Sequence, residues 1–373
     1  MKILIDLTSL SRPITGIESY ALNLARTLLA ADKKNEYHLL FRKNIHKAFK
    51  PYANTSARLK FSLSTFSSQL LTEQLYIPWL VTTRYFDFVF FPCFPPGLFV
   101  AHKNLVFLCH DATMWKYPGT LSLKNKMYFK PLAKKAIRTA ILVCTNSESS
   151  KTDILHFFPS LGERIVNIGA ALADKYSEFD KSMIPTVLRK LKIDRRFLLS
   201  VSSLEPRKNI PFIIDSISEI LQKEDLLLVL AGRPAWGRNA IDEAIARTNS
   251  SRRVISAGYV NQNELKSLYS AAEMFLFPSL YEGFGFPILE AFACGCPVIT
   301  SNVSSMPSVA GEAAILVDPT NGKDLKDAIQ SVLVNASMRK NLVSNGCEQL
   351  KKFSWATTCD SFIRALEKLT KQI

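Results

Sequence analysis

Residues 274–300, MFLFPSLYEGFGFPILEAFACGCPVIT, carry the pattern that decides the fold. Met274–Phe277 is an apolar run of strand length that stops at Pro278. Pro287–Cys294 is an apolar helical stretch, and Pro297–Thr300 is a second short apolar run. Two buried strands joined through a helix make a parallel crossover unit. The alternation continues in both directions. In the second half it predicts further strands at Phe197–Val201, Leu226–Ala231, Val254–Ala257 and Ile315–Val317. In the first half it predicts Lys2–Leu7, Tyr37–Phe41, Phe86–Phe90, Leu105–Cys109, Ile141–Cys144 and Arg164–Ile168, with an amphipathic helix at Ile17–Ala30 whose face carries Leu22, Ala25, Leu28 and Leu29. Residues 171–192 lose this rhythm and become charged, which predicts a linker. The expectation is an α/β protein with two doubly wound parallel-sheet domains, 1–170 and 193–354. Cys359, Phe362, Ile363, Leu366 and Leu369 recur at helical spacing, so residues 355–373 are expected as a final helix packing back on the first domain.

The 373 residues are 47% hydrophobic and 21% charged, enough apolar material for two cores and too much for a disordered chain. The 14 Gly and 18 Pro follow no repeat, which excludes collagen-like and solenoid architectures. Net charge is +15, and residues 1–180 hold 23 basic against 13 acidic residues, so anionic partners are favoured mainly by the first half. The seven cysteines form no CxxC pair and lie mostly in apolar runs, which points to reduced core thiols. The opening Met1-Lys2-Ile3-Leu4-Ile5-Asp6 lacks the apolar region of a signal peptide. The apolar stretch 86–101 is broken by Pro92, Pro95, Pro96 and Gly97, so no membrane-spanning helix is expected.

Ligands of open α/β sheets bind beyond the carboxyl ends of the strands, here in a central cleft that the two domains would face. Thr15-Gly16-Ile17-Glu18-Ser19-Tyr20 opens a helix there and either presents N–H groups to a phosphate or hydroxyl or is a plain turn. His110-Asp111 follows a strand, where the imidazole suits a substrate hydrogen bond or a buried structural role. Arg207-Lys208 at a helix entry suits a diphosphate, with Asn209 placed to cap the helix that starts at Ile210. Glu282 lies in a loop with Gly283 and Gly285. Glu290 is the lone acid of an apolar helix that should be buried, so it needs a partner, and vicinal sugar hydroxyls are a natural one.

Glu282-x7-Glu290, Ala293-Cys294-Gly295-Cys296-Pro297-Val298-Ile299 and Gly311-Glu312-Ala313-Ala314 together resemble the retaining glycosyltransferases of the large family 4, the group 1 glycosyl transferases. That family includes sucrose synthase and bacterial lipopolysaccharide, O-antigen and mannosyl transferases. The resemblance runs from the Gly16 loop to the Trp355 helix and implies a GT-B fold of two Rossmann-like domains. It implies that Glu290 binds the ribose hydroxyls, that Glu282 and the Gly283-Phe284-Gly285 backbone hold the donor sugar, and that Arg207 and Lys208 neutralise the diphosphate. Gly232-Arg233 and Gly258-Tyr259-Val260 would flank the base, Gly16 would approach the phosphate or acceptor, and His110 would touch the transferred sugar. No metal or other cofactor is implied, and no Asp-x-Asp triplet occurs. Two positions depart from the family pattern: the glycine-rich loop retains only Gly16, and Ser308 stands where relatives often carry Glu.

The implied activity is transfer of a hexose, with mannose or rhamnose favoured, from a nucleoside-diphosphate sugar to a lipid-linked glycan acceptor in cell-surface polysaccharide synthesis. A sugar-nucleotide epimerase on the same fold is one alternative. A basic nucleic-acid-binding protein is another, weakened by the lack of zinc-ligand spacing or an RNP-like strand. Lys126, Lys130, Lys134 and Arg138 recur every four residues in 121–139, with Lys124 and Lys135 nearby and a kink expected at Pro131. This basic stripe is expected to meet solvent or the anionic inner face of the cell membrane from a cytoplasmic enzyme.

Overall fold

A computed structural model describes residues 1–10, 16–52, 58–123, 125–173, 176, 179–233 and 238–371. Two compact units make up the chain, Met1–Ala171 with Ser354–Ile373, and Leu172–Phe353. The first holds seven strands: β1 (Lys2–Asp6), β2 (Glu36–Phe41), β3 (Leu59–Leu63), β4 (Phe88–Phe91), β5 (Leu105–Leu108), β6 (Leu142–Thr145) and β7 (Ile165–Asn167). They are all parallel, in the order β3-β2-β1-β4-β5-β6-β7. The second unit holds β8 (Phe197–Val201), β9 (Leu227–Ala231), β10 (Val254–Gly258), β11 (Met274–Phe277), β12 (Val298–Ser301) and β13 (Ala314–Val317), again all parallel, in the order β10-β9-β8-β11-β12-β13. Both orders reverse after the first strand of the unit, β1 or β8, which is where a doubly wound sheet opens a crevice for ligands.

Strands β1, β4, β5, β6, β9, β11 and β12 are almost wholly buried, as expected of strands covered by helices on both faces. The strand that apolar patterning misses is β3. Its sequence, Leu59-Lys60-Phe61-Ser62-Leu63, is an edge strand in which only Ser62 is buried, so it needs no continuous apolar run. The first helix spans Gly16–Ala31 and buries Tyr20, Ala21, Leu24, Ala25 and Leu28, while Leu22 and Leu29 are only half-buried. The buried stripe is therefore rotated from the expected one, because Tyr20 and Leu24 turn towards the final helix.

That final helix, Trp355–Thr370, belongs to the first unit. Its Trp355 ring meets Tyr20 edge-on at 5.1 Å, Phe362 packs on Phe90 at 4.5 Å, and Cys359 Sγ contacts the Leu24 carbonyl. Burying Phe362 and Leu366 contributes roughly 1.5–3 kcal/mol each. The charged stretch 171–192 does not act as a free linker. From Leu172 onward it is part of the second unit, where the helix Ile184–Lys190 packs on the helix Gln262–Ala271 and Lys190 donates to Glu264 at 2.5 Å. Cys93, Cys109, Cys144, Cys296 and Cys359 are buried thiols, and Cys347 is exposed. Among the described residues no helix is long and apolar enough to cross a membrane.

Candidate active site

Strand β8 runs into a short turn, Pro206–Lys208, and then into the helix Ile210–Lys223. Strand β11 runs into the loop that carries Glu282 and then into the helix Phe286–Ala293. Because β8 and β11 are neighbours in the sheet, the two loops meet at its carboxyl edge. The Arg207 guanidinium donates to Glu282 Oε2 at 2.9 Å and to the Tyr281 carbonyl at 3.1 Å, and Lys208 Nζ donates to Glu282 Oε1 at 2.5 Å. Arg207 also donates to Glu205 at 3.1 Å, so two carboxylates and two cations form one cluster. Lys208 and Glu282 are both buried. Burial pushes the Glu282 carboxyl up, but the Lys208 and Arg207 charges outweigh it and hold its pKa at about 2. Burial pulls Lys208 down, opposed by Glu282.

The resemblance assigns Glu282 and the Arg207-Lys208 pair to separate parts of the donor. In the structure they are bonded to one another, so the cations are already neutralised by protein carboxylates. A second departure concerns Asn209. Its backbone is left-handed (φ 62°), and its side chain does not cap the helix it precedes. Instead its amide donates to the carbonyls of Pro278 (3.2 Å) and Pro319 (2.7 Å), tying three strand-end loops together.

Gly285 lies at φ 111°, in the region open to glycine, and lets the Glu282 loop turn into its helix. The loop is clamped from β12. Ser305 Oγ donates to the carbonyls of Glu282 (2.9 Å) and Phe284 (2.7 Å), and Ser304 Oγ accepts the Glu282 N–H (3.2 Å) and donates to its carbonyl. Phe284 is buried against Phe286 and Phe353. Nothing in the local sequence singles out Ser304 and Ser305, because their role depends on the β11–β12 pairing.

Glu290 is half-buried rather than fully buried, and it already has protein partners. Tyr269 donates to Glu290 Oε2 at 3.2 Å, and the Tyr176 hydroxyl also bonds to it. A ribose would therefore share this carboxylate with two phenols. Gly232 (φ 146°) has no room for a side chain, since a Cβ would meet the Ser202 carbonyl oxygen at 1.8 Å. Its N–H donates to the Gly258 carbonyl at 2.8 Å, and beside it the Arg233 guanidinium lies 4.8 Å over the exposed Tyr259 ring. The structure thus joins the Gly232-Arg233 and Gly258-Tyr259-Val260 segments at the ends of β9 and β10, on an open stacking surface.

In the first unit His110 follows β5, with one nitrogen 2.9 Å from the Pro92 carbonyl and the other 3.5 Å from the Asn146 amide. Tyr20 stands edge-on at 5.3 Å. Burial lowers the His110 pKa, so a neutral ring donates through Nε2 to Pro92 and accepts through Nδ1. Both nitrogens thus have a protein partner within 3.5 Å. Gly16 begins the first helix with nothing within 4 Å of its Cβ direction. Thr15 of the same loop, like Lys124 of the basic stripe, lies outside the described residues.

The glycosyl transferases group 1 domain matches residues 185–349, a span that contains Arg207, Lys208, Glu282 and Glu290. Residues 185–349 are a glycosyl transferases group 1 domain. Over 99% of its length this glycosyltransferase is 28% identical to the whole of O-antigen chain mannosyltransferase B of Escherichia coli. Among solved structures, sucrose-phosphate synthase from Thermosynechococcus elongatus superposes with a TM-score of 0.73 at 19% identity, over the full length of both chains. HepE of Anabaena, in complex with UDP and glucose, also reaches 0.73 at 19% identity, covering 98% of this chain and 99% of its own. Two all-parallel α/β units with these structural relatives give the glycosyltransferase the GT-B fold.

Proposed function

We propose that this glycosyltransferase moves a hexose, mannose before rhamnose, from a nucleoside-diphosphate sugar to a lipid-linked glycan in O-antigen-type polysaccharide synthesis. Full-length similarity to an E. coli O-antigen mannosyltransferase supports the substrate class. The observation that carries the chemistry is the buried cluster of Arg207, Lys208 and Glu282. An incoming diphosphate competes with Glu282 for the two cations, and the charge that builds on the departing phosphate is then met by donors fixed in advance. Arg207 and Lys208 supply that neutralisation without a metal ion. Displacement occurs on the front face, with the leaving phosphate taking the proton of the incoming hydroxyl, so the sugar retains its configuration.

In this reading Glu290 holds the ribose and the Arg233–Tyr259 stack flanks the base. Glu282 and the Gly283–Gly285 backbone orient the sugar, His110 touches it, and the first unit holds the acceptor with Gly16 near the phosphate or acceptor. An epimerase is disfavoured because the full-length relative is a transferase. A thermal-shift screen with GDP-mannose, dTDP-rhamnose, UDP-glucose and UDP-N-acetylglucosamine tests the donor. Stabilisation by GDP-mannose is expected, and stabilisation by none of the four would overturn the assignment.

The enzyme docks on the anionic cytoplasmic face of the membrane through the first unit. A wide turn, Asn125–Phe129, leads into the helix Lys130–Thr139, in which Pro131 sits in the first turn without breaking it. Lys126, Lys134 and Arg138 are exposed and Lys130 half-exposed, while Leu132, Ala133, Ala136 and Ile137 face the core. Met127 is 73% and Leu123 76% exposed. Next to them the Tyr128 hydroxyl accepts from the Gln74 side-chain amide, whose Oε1 accepts the Leu98 N–H, which brings exposed Leu75, Leu98 and Phe99 to the same surface. Apolar side chains ringed by lysines match a headgroup boundary.

A further inference from the structure

A cavity of about 670 Å³ opens beyond the carboxyl ends of β1, β2 and β3, and none of the residues assigned above lines it. Its apolar floor includes Leu7, Phe41 and Leu63, and its rim carries Arg42, Lys43, Lys47 and Lys50. Among the described residues no acidic side chain lines it. Among the described residues none of these four cations has an ion-pair partner, although the structure contains many exposed pairs elsewhere. The rim is firmly built. Phe49, fully buried within the turn Lys47–Tyr52, packs on Phe41 at 5.5 Å, and the Ala48 N–H donates to His46 Nδ1 at 3.2 Å. Phe49 therefore pins Lys47 and Lys50 on either side of itself at the mouth.

Four unpaired positive charges around one concavity repel each other, and an anion relieves that repulsion. The volume lies within the range of roughly 300–1,000 Å³ of small-molecule sites. We infer that this cavity binds the phosphate or diphosphate group of a phosphorylated saccharide, with the leucine and phenylalanine floor against the adjoining apolar chain. As the acceptor site of the first unit, this rests on the transferase reading above. As a phosphate site it stands on the cavity alone.

The test has two arms. In the first, the intact protein is labelled with an amine-reactive reagent at fixed ionic strength, with and without inorganic pyrophosphate or farnesyl diphosphate, and each lysine is followed by mass spectrometry. Labelling of Lys43, Lys47 and Lys50 should slow about tenfold, the factor expected for one charge-assisted contact, with exposed Lys192 and Lys352 unchanged. Stronger protection by farnesyl diphosphate than by pyrophosphate identifies a lipid-linked source, and equal protection a free phosphorylated sugar. No protection, or equal protection at Lys192 and Lys352, overturns the inference. In the second arm, Lys43→Glu with Lys47→Glu should lower kcat/KM for a diphosphate-linked acceptor about tenfold relative to the same saccharide as a neutral methyl glycoside. Equal loss on both acceptors overturns the site. Absence of transfer to either acceptor by the unmodified enzyme refutes the transferase reading and leaves the labelling result to decide the cavity.

Discussion

Lys208 Nζ lies 2.5 Å from Glu282 Oε1, and neither side chain is reached appreciably by solvent. Removing one partner leaves the other charge buried, which typically costs about 3–5 kcal/mol. Glu282→Gln should therefore lower the urea midpoint strongly, and Glu282→Gln combined with Lys208→Met should cost less than the sum of the two single changes. The same carboxyl is held at about 2, below its ordinary 4.5, so its stabilisation is present above pH 4.5 and is lost as pH falls towards 2. Because Arg207 remains, Glu282→Gln should retain nucleotide binding better than activity. Equal losses of the two would contradict that division of roles.

Arg207→Ala and Glu290→Ala should each weaken nucleotide-sugar affinity. The first removes a charge-assisted contact of roughly 1.5–3 kcal/mol, and the second a carboxylate acceptor for the ribose. Isothermal titration measures both, and unchanged affinity in both variants would remove the donor site from the second unit.

Asp6, at the end of β1, is buried, and burial raises its pKa from 3.8 to about 6 against the opposing hydrogen bonds from Thr8. The folded state thus holds a proton that the unfolded state has released. Stability contributed by this group is full below pH 3.8 and declines as pH rises through about 6. Asp6→Asn should flatten the stability profile between those two values. An unchanged profile by thermal unfolding would locate the proton elsewhere.

Activity should survive excess EDTA, since Arg207 and Lys208 are assigned the neutralisation of the diphosphate. A rate that collapses in chelator and returns with Mg²⁺ or Mn²⁺ would refute this.

Liposome sedimentation tests the docking surface. Binding should require anionic lipid, fall steeply with salt, and weaken when Lys126, Lys130 and Lys134 become Glu, each residue contributing about 1 kcal/mol near such a surface. Equal binding to neutral vesicles would return the stripe to solvent.

Most of the fold is legible in the chain because its strands are covered on both faces, and a doubly covered strand must be a short, nearly continuous apolar run. Twelve of the strands lie on runs recognisable in this way, and the exception, β3, is an edge strand with little to bury. The charged residues proposed for the donor site stand out in the sequence too, because Glu282, Glu290, Arg207 and Lys208 interrupt or end apolar segments. What the sequence could not determine is which of them hold each other. Glu282 meets Arg207 and Lys208 across a separation of 74–75 residues, Glu290 meets Tyr269, and His110 spends its nitrogens on Pro92 and Asn146. These partnerships depend on strand order and on side-chain directions set by packing, neither of which is encoded in local periodicity. The basic cavity is the same kind of fact. Its wall comes from the loops after β1 and β2 and the end of β3, and only the sheet brings those segments around one space.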